Sequence, residues 1–170
     1  YVLAAVQDIE GQYSLKNITT VISLSVQQYM DCSLKIFGKQ NANRIPCLGG
    51  NIWMVSEFYT SMGYIHRENY YPYKGIIEHQ NCKINSRKDA IQNGAIKIET
   101  IQPIEKRNLS VNEIKILLVQ HGSPIVSSIN STLVNYADQY EKLKINEDVC
   151  KGIHKSDHSI MIVGYVSDSD

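Results

Sequence analysis

The sequence predicts an α+β fold, with helices in the first half and strands in the second. Three patterns carry the prediction. Apolar residues recur at helical spacing near the start, as Val2, Val6, Ile9 and Tyr13. From residue 95 the pattern switches to alternation, Ala95-Ile96-Lys97-Ile98-Glu99-Thr100-Ile101. Near the end, Ile160-Met161-Ile162-Val163 is an unbroken apolar run closed by Gly164, the mark of a strand buried on both faces.

The elements follow in order. Residues 1 to about 16 form an amphipathic, largely buried helix, with Glu10 near its apolar face. Residues 17–23 are turn-like, and Ser25 caps a short helix reaching Cys32. Gly38, Asn41, Asn43, Pro46, Gly49 and Gly50 make 33–50 an irregular loop. A helix over about 51–62 lines up Ile52, Val55, Tyr59 and Met62 and stops at Gly63. Tyr70-Tyr71-Pro72-Tyr73 is extended, because a residue before proline avoids the helical region. Ser110-Val111-Asn112-Glu113 is a capping box opening a helix that closes at Gly122. Strands are expected at about 124–130 and 158–166. The change of pattern suggests two parts, 1–100 and 101–170.

The bulk numbers exclude several functions. Seventeen basic and seventeen acidic residues cancel among 170, which recommends neither nucleic acid nor an anionic membrane as partner. No apolar stretch approaches the roughly 20 residues needed to span a bilayer. No cysteine pair has the Cys-x-x-Cys spacing of a zinc or thioredoxin site, so no metal is expected. The four cysteines, Cys32, Cys47, Cys82 and Cys150, allow three complete pairings that spacing alone does not separate. Sequons at Asn17, Asn108 and Asn130 are candidate glycosylation sites, and with the cysteines they lean toward an oxidising, secretory compartment. The first residue is Tyr1, inside an apolar-periodic segment, so the sequence reads as a mature product or a fragment.

One histidine stands out. His158 sits at the entrance of the last strand, directly after Asp157. Histidine exchanges its proton near neutral pH, and an imidazole held and partly desolvated at a strand mouth suits a catalytic base. His66, His79, His121 and His154 fall in polar loops or at a helix end and read as surface residues.

Longer segments carry a resemblance. Ser23-Leu24-Ser25-Val26-Gln27-Gln28-Tyr29-Met30-Asp31-Cys32 is similar to the Leu-Ser-Glu-Gln-Gln-Leu-Val-Asp-Cys segment of papain-like cysteine proteases. Cys47-Leu48-Gly49-Gly50 resembles that family's Cys-Asn-Gly-Gly. Trp53, Tyr71-Pro72-Tyr73, Cys82, Gly122-Ser123-Pro124-Ile125 and Asp157-His158-Ser159 follow in the family's order across nearly the whole chain. The resemblance implies a papain-like two-lobe fold, a helical lobe plus an incomplete antiparallel β-barrel lobe. It also implies peptide-bond hydrolysis by a cysteine thiolate, with histidine as base and asparagine orienting it.

Residue by residue, the resemblance makes His158 the catalytic histidine. Glu10-Gly11 matches the Glu-Gly of the family's central helix, which places the nucleophile one position before Tyr1 and the orienting asparagine beyond Asp170. The chain alone is therefore expected to be inactive. Cys32 and Cys82 match an internal disulfide; closing about 50 residues is worth roughly 4 kcal/mol on the chain-entropy model. Cys47 and Cys150 match cysteines whose partners lie outside the sequence, so both are expected unpaired. Gly49 and Gly50 match glycines whose backbone pairs with an extended substrate. Asn51, Ile52 and Ser128 match a pocket for the second residue on the acyl side of the cut, and Asp157 precedes the histidine as in many members.

The resemblance implies no cofactor. It implies polypeptide substrates, a propeptide or cystatin-type inhibitor as partner, a monomer, and a secreted or lysosomal location. Tyr1, Leu3, Val26, Leu48 and Asn51 depart from the family pattern around the nucleophile and the groove. Those departures leave a second reading open: an inactive paralogue that binds peptides or proteins as a decoy.

Overall fold

The computed structural model describes residues 1–16, 21–38, 46–78, 81–101, 109–131 and 156–166. Three helices lead: α1 (Val2–Lys16), α2 (Val26–Phe37) and α3 (Ile52–Met62), with one 3-10 turn at Pro46–Leu48. Then come β1 (Tyr64–Ile65), α4 (Arg87–Gln92), β2 (Ile96–Lys97), α5 (Val111–His121), β3 (Ile125–Ile129) and β4 (His158–Ile162). β1 pairs antiparallel with β2, and β3 with β4; among the described residues no barrel closes.

The caps explain where the helices begin and end. Ser25 Oγ accepts from Gln28 N–H at 3.0 Å and donates to the Tyr71 carbonyl at 2.6 Å, so one hydroxyl starts α2 and pins the tyrosine-proline segment. Gly63 ends α3 at φ +71°, in the left-handed region that favours glycine. Ser110 and Glu113 form the reciprocal capping box of α5.

The core lies where α1, α2 and α3 meet. Val6, Tyr29, Val55, Phe58, Tyr59 and Ile65 are buried there. Tyr29 and Phe58 meet edge to face at 5.1 Å between ring centres, as aromatic quadrupoles prefer. Beneath them the buried Asp31 carboxylate accepts three donors: Gln27 Nε2 at 2.8 Å, Tyr71 OH at 2.9 Å and Glu78 N–H at 2.7 Å. Those bonds answer the desolvation of a buried charge. The next residue, Cys32, is disulfide-bonded to Cys82.

Several elements differ from the sequence reading. α2 continues to Phe37, because Ile36 and Phe37 pack against the core, and stops only at Gly38 with φ +78°. The alternating run at 95–101 yields just two paired residues, since its partner β1 is two residues long. α4 was not anticipated; Ser86 caps it through Asp89 N–H and Ala90 is buried. The final run is not buried on both faces: Val163, Tyr165 and Val166 are 72%, 51% and 82% exposed. Its strand belongs to a two-stranded ribbon, so no second sheet layer covers it among the described residues.

Candidate active site

The opening helix organises the site. α1 packs against α3 on one side and against both β3 and β4 on another. The contact with the hairpin is made late in α1: Gln12 Nε2 donates to Ser123 Oγ at 2.5 Å, and Gly11 approaches the Pro124 ring closely enough that a β-carbon there would lie 3.2 Å from it. Just before, Glu10 Oε1 accepts Leu24 N–H at 2.6 Å, which gives the carboxylate on the apolar face its partner. Burial raises the Glu10 carboxyl above its ordinary value, and that backbone bond pulls it partly back.

At the other end of α1, Tyr1 meets the glycine pair. A β-carbon on Gly50 would stand 2.5 Å from Tyr1 Cζ, so the ring occupies the space a side chain would need. Tyr1 also packs edge-on against Tyr29 at 6.2 Å. Burial raises its phenol, the Tyr29 side chain opposes that shift, and Cys47 adds to the rise. Gly49 has φ +91° and open space around it. Cys47 is free and exposed, and Leu48 is 73% exposed. Asn51 is exposed and caps α3, its Oδ1 accepting Met54 N–H at 3.1 Å. Ile52 is half-buried.

The remaining site residues gather at the Ile129–His158 end of the β3–β4 hairpin. His158 begins β4 opposite Ile129, and Ser128 lies opposite Ser159. Asp157 N–H donates to the Ile129 carbonyl at 3.0 Å. Its carboxylate accepts Ser131 N–H at 2.6 Å and Ser131 Oγ–H at 2.9 Å. These two bonds hold the Asp157 carboxyl below its ordinary value, with His158 contributing last. The His158 ring is exposed rather than partly desolvated, because it stands at the outer end of a ribbon.

Sequence reasoning missed four groups. Ser159 joins Ser128 only through strand register, which no single strand reveals. Ser131 clamps Asp157 from 26 residues away. Asp8, on α1, is partly buried, and that burial pushes its carboxyl up to about 6 against a hydrogen bond from Gln12. His66 is a correction: it is fully buried, not a surface residue. Its ring stacks on Tyr70 at 4.4 Å and meets Tyr64 edge-on at 5.1 Å, with neither ring nitrogen hydrogen-bonded. Burial lowers its proton affinity. The signal available was the short Tyr64-Ile65 strand directly before it.

Asn130 is described and half-buried. Asn17, Asn108, Cys150, His79 and His154 lie outside the described residues. Among the described residues no cluster of three or more His, Cys, Asp or Glu side chains is arranged to hold a metal. No helix among them is long and apolar enough to cross a membrane.

Comparison with known proteins fits this arrangement. The family described as papain family cysteine protease matches residues 1–170. Two crystal structures of a ragweed protein, the Amb a 11 cysteine protease, a major pollen allergen captured in its proform, are similar in fold. The 2.70 Å structure shares 25% identity at a TM-score of 0.55, over 76% of this chain and 34% of its own. The 2.05 Å structure gives 25% and 0.54, over 75% and 34%. The chain thus spans about a third of the length of those chains. No curated protein matches it.

Proposed function

From the premise that the chain belongs to the papain family of cysteine proteases, we propose that it serves a cysteine endopeptidase acting on polypeptides. The observation that carries this reading is the arrangement around α1: Gly50 against Tyr1, just ahead of the helix, and a hairpin packed against the helix that bears His158. His158 takes the proton of a thiol and returns it to the leaving amine. Asp157, fixed by Ser131, sets the start of β4 and so positions the ring. The backbone of Gly49 and Gly50 pairs with an extended substrate, and Asn51, Ile52 and Ser128 receive its second residue before the cut. The nucleophile belongs at the position before Tyr1 and the orienting asparagine beyond Asp170.

Incubating the 170-residue chain with a fluorogenic dipeptide amide tests this assignment. No turnover is expected; turnover abolished by a cysteine-protease titrant would support a cysteine peptidase but overturn the placing of its nucleophile before Tyr1. The codon before Tyr1 in the full transcript separates the two readings of the family membership. Cysteine there supports the peptidase; serine or another residue supports a non-catalytic binder. The departures from the family pattern at Tyr1 and at Leu3, which is 57% exposed, favour the binder. The ragweed structures are proforms, which supports a propeptide as partner. The Cys32–Cys82 disulfide supports a secreted or lysosomal setting.

A further inference from the structure

His66 is a titratable side chain that the chemistry above leaves unused, and the fold encloses it completely. Its main chain is fixed: His66 N–H donates to Gln28 Oε1 at 2.8 Å, and its carbonyl accepts Ser25 N–H at 2.9 Å. Its ring lies among three tyrosines. Tyr64 meets it edge-on and Tyr71 lies tilted 6.4 Å away, both buried, while Tyr70 stacks on it and is 41% exposed. Among the described residues neither ring nitrogen has a hydrogen-bond partner. The charged groups of the surrounding elements are engaged elsewhere. Asp31 of α2 accepts Gln27, Tyr71 and the Glu78 amide, and Glu10 of α1 accepts Leu24 N–H. Glu68 accepts Tyr73 N–H, Lys97 of β2 pairs with Glu99, and Arg67 and Arg87 donate to the carbonyls of Gly94 and Ile98.

We propose that His66 is an acid-operated latch: a solvent proton taken up by its ring lifts Tyr70 and opens the Arg67–Tyr71 turn while the helical core stays folded. A buried imidazolium without a partner is costly, so the charged ring must reach water. Its way out runs past Tyr70, the exposed ring of the three, whose hydroxyl accepts Asn85 Nδ2 at 3.3 Å. The turn beneath is closed by the Tyr70 and Tyr71 amides, both donating to the Arg67 carbonyl at 3.1 Å. In the closed turn burial lowers the proton affinity of the ring; in the open turn it returns to its ordinary value near 6.5. The open population therefore grows about tenfold for each pH unit below about 6.5. Acidity thus releases the segment Tyr70-Tyr71-Pro72-Tyr73 ahead of the rest of the fold, beside a cavity of about 500 Å³ lined by Asp31, Tyr71 and Pro72. None of these groups has a part in the protease reading, so the latch stands or falls apart from it.

Amide hydrogen exchange tests the latch on the whole protein with the Cys32–Cys82 disulfide intact, corrected for the intrinsic effect of pH. The Tyr70 and Tyr71 amides are expected to lose protection about tenfold per pH unit below about 6.5. Small additions of urea leave their exchange unchanged, since a local opening exposes little surface, whereas amides within α3 keep higher protection and respond to urea. His66→Phe keeps an aromatic ring in place and is expected to make protection at Tyr70 and Tyr71 independent of pH. Should that variant fail to fold, the His66 ring resonances of the native protein decide: they titrate in step with the loss of protection at the two amides. The latch is overturned by protection there that does not change with pH, or by a loss that persists in His66→Phe. It is overturned equally by exchange at the two amides that follows urea as α3 does, or by a ring that titrates while both amides stay protected.

Discussion

The buried His66 and the partly buried Asp8 are titratable groups that pull stability in opposite directions with pH. The His66 proton affinity is lowered in the fold, so the unfolded chain binds its proton first. The stability it supports is complete above about pH 6.5, the unfolded value, and declines as pH falls below it. His66→Phe keeps the stacking on Tyr70 and is expected to flatten that decline, read as urea midpoints between pH 7 and pH 5. Asp8 behaves in the reverse sense. Its carboxyl is raised to about 6, so the stability it contributes is complete below its unfolded value near 4 and is lost as pH rises through about 6. Asp8→Asn is expected to gain about 1 kcal/mol at pH 8, after allowance for solvent screening, and nothing near pH 4. An equal gain at both pH values would rule the titration out. Gly50→Ala forces a β-carbon into the Tyr1 ring and is expected to cost about 1–3 kcal/mol. Pairing it with Tyr1→Ala removes most of that penalty if the overlap is the cause.

Local chemistry set the helices and could be read in advance. The Ser110–Glu113 capping box stands as written in the sequence, and Gly63 and Gly122 both take left-handed conformations at helix ends. Ser110→Ala is expected to cost about 1 kcal/mol in thermal or urea unfolding, since one hydroxyl serves the Glu113 amide. The strands were less legible. Alternation over 95–101 promised seven residues and delivered two, because a strand extends only as far as its neighbour does, and β1 ends at Ile65. The apolar content of the final run suggested a fully covered strand, whereas coverage depends on the layers around it. The same logic hid Ser159, whose place beside Ser128 exists only in the pairing of two distant segments.

At the scale of the whole molecule, the family was legible because short segments recur in a fixed order, and the family match over residues 1–170 agrees. The burial of His66 was not legible, since it arises from Tyr64 in the strand before it and Tyr70 and Tyr71 in the turn after it closing around its ring. We propose that residues 1–100 and 101–170 act as two lobes, with Gln12 and Ser123 bonded across the seam. The Cys32–Cys82 bridge belongs to the first of them. Replacing both cysteines with alanine is expected to cost roughly 2–4 kcal/mol. The His158 and Asp157 resonances are expected to stay unchanged while the fold persists. Movement of both would show that the bridge also steadies the hairpin.

The β3–β4 ribbon has a further consequence. Along each of its outer borders, among the described residues, backbone amides and carbonyls meet no neighbouring strand. Such a border templates whatever extended chain arrives first, and other copies of the same polypeptide are the most abundant candidates in a concentrated solution. Purified preparations should therefore scatter light more as concentration rises, and short peptides copying residues 125–129 should slow that growth by capping the template.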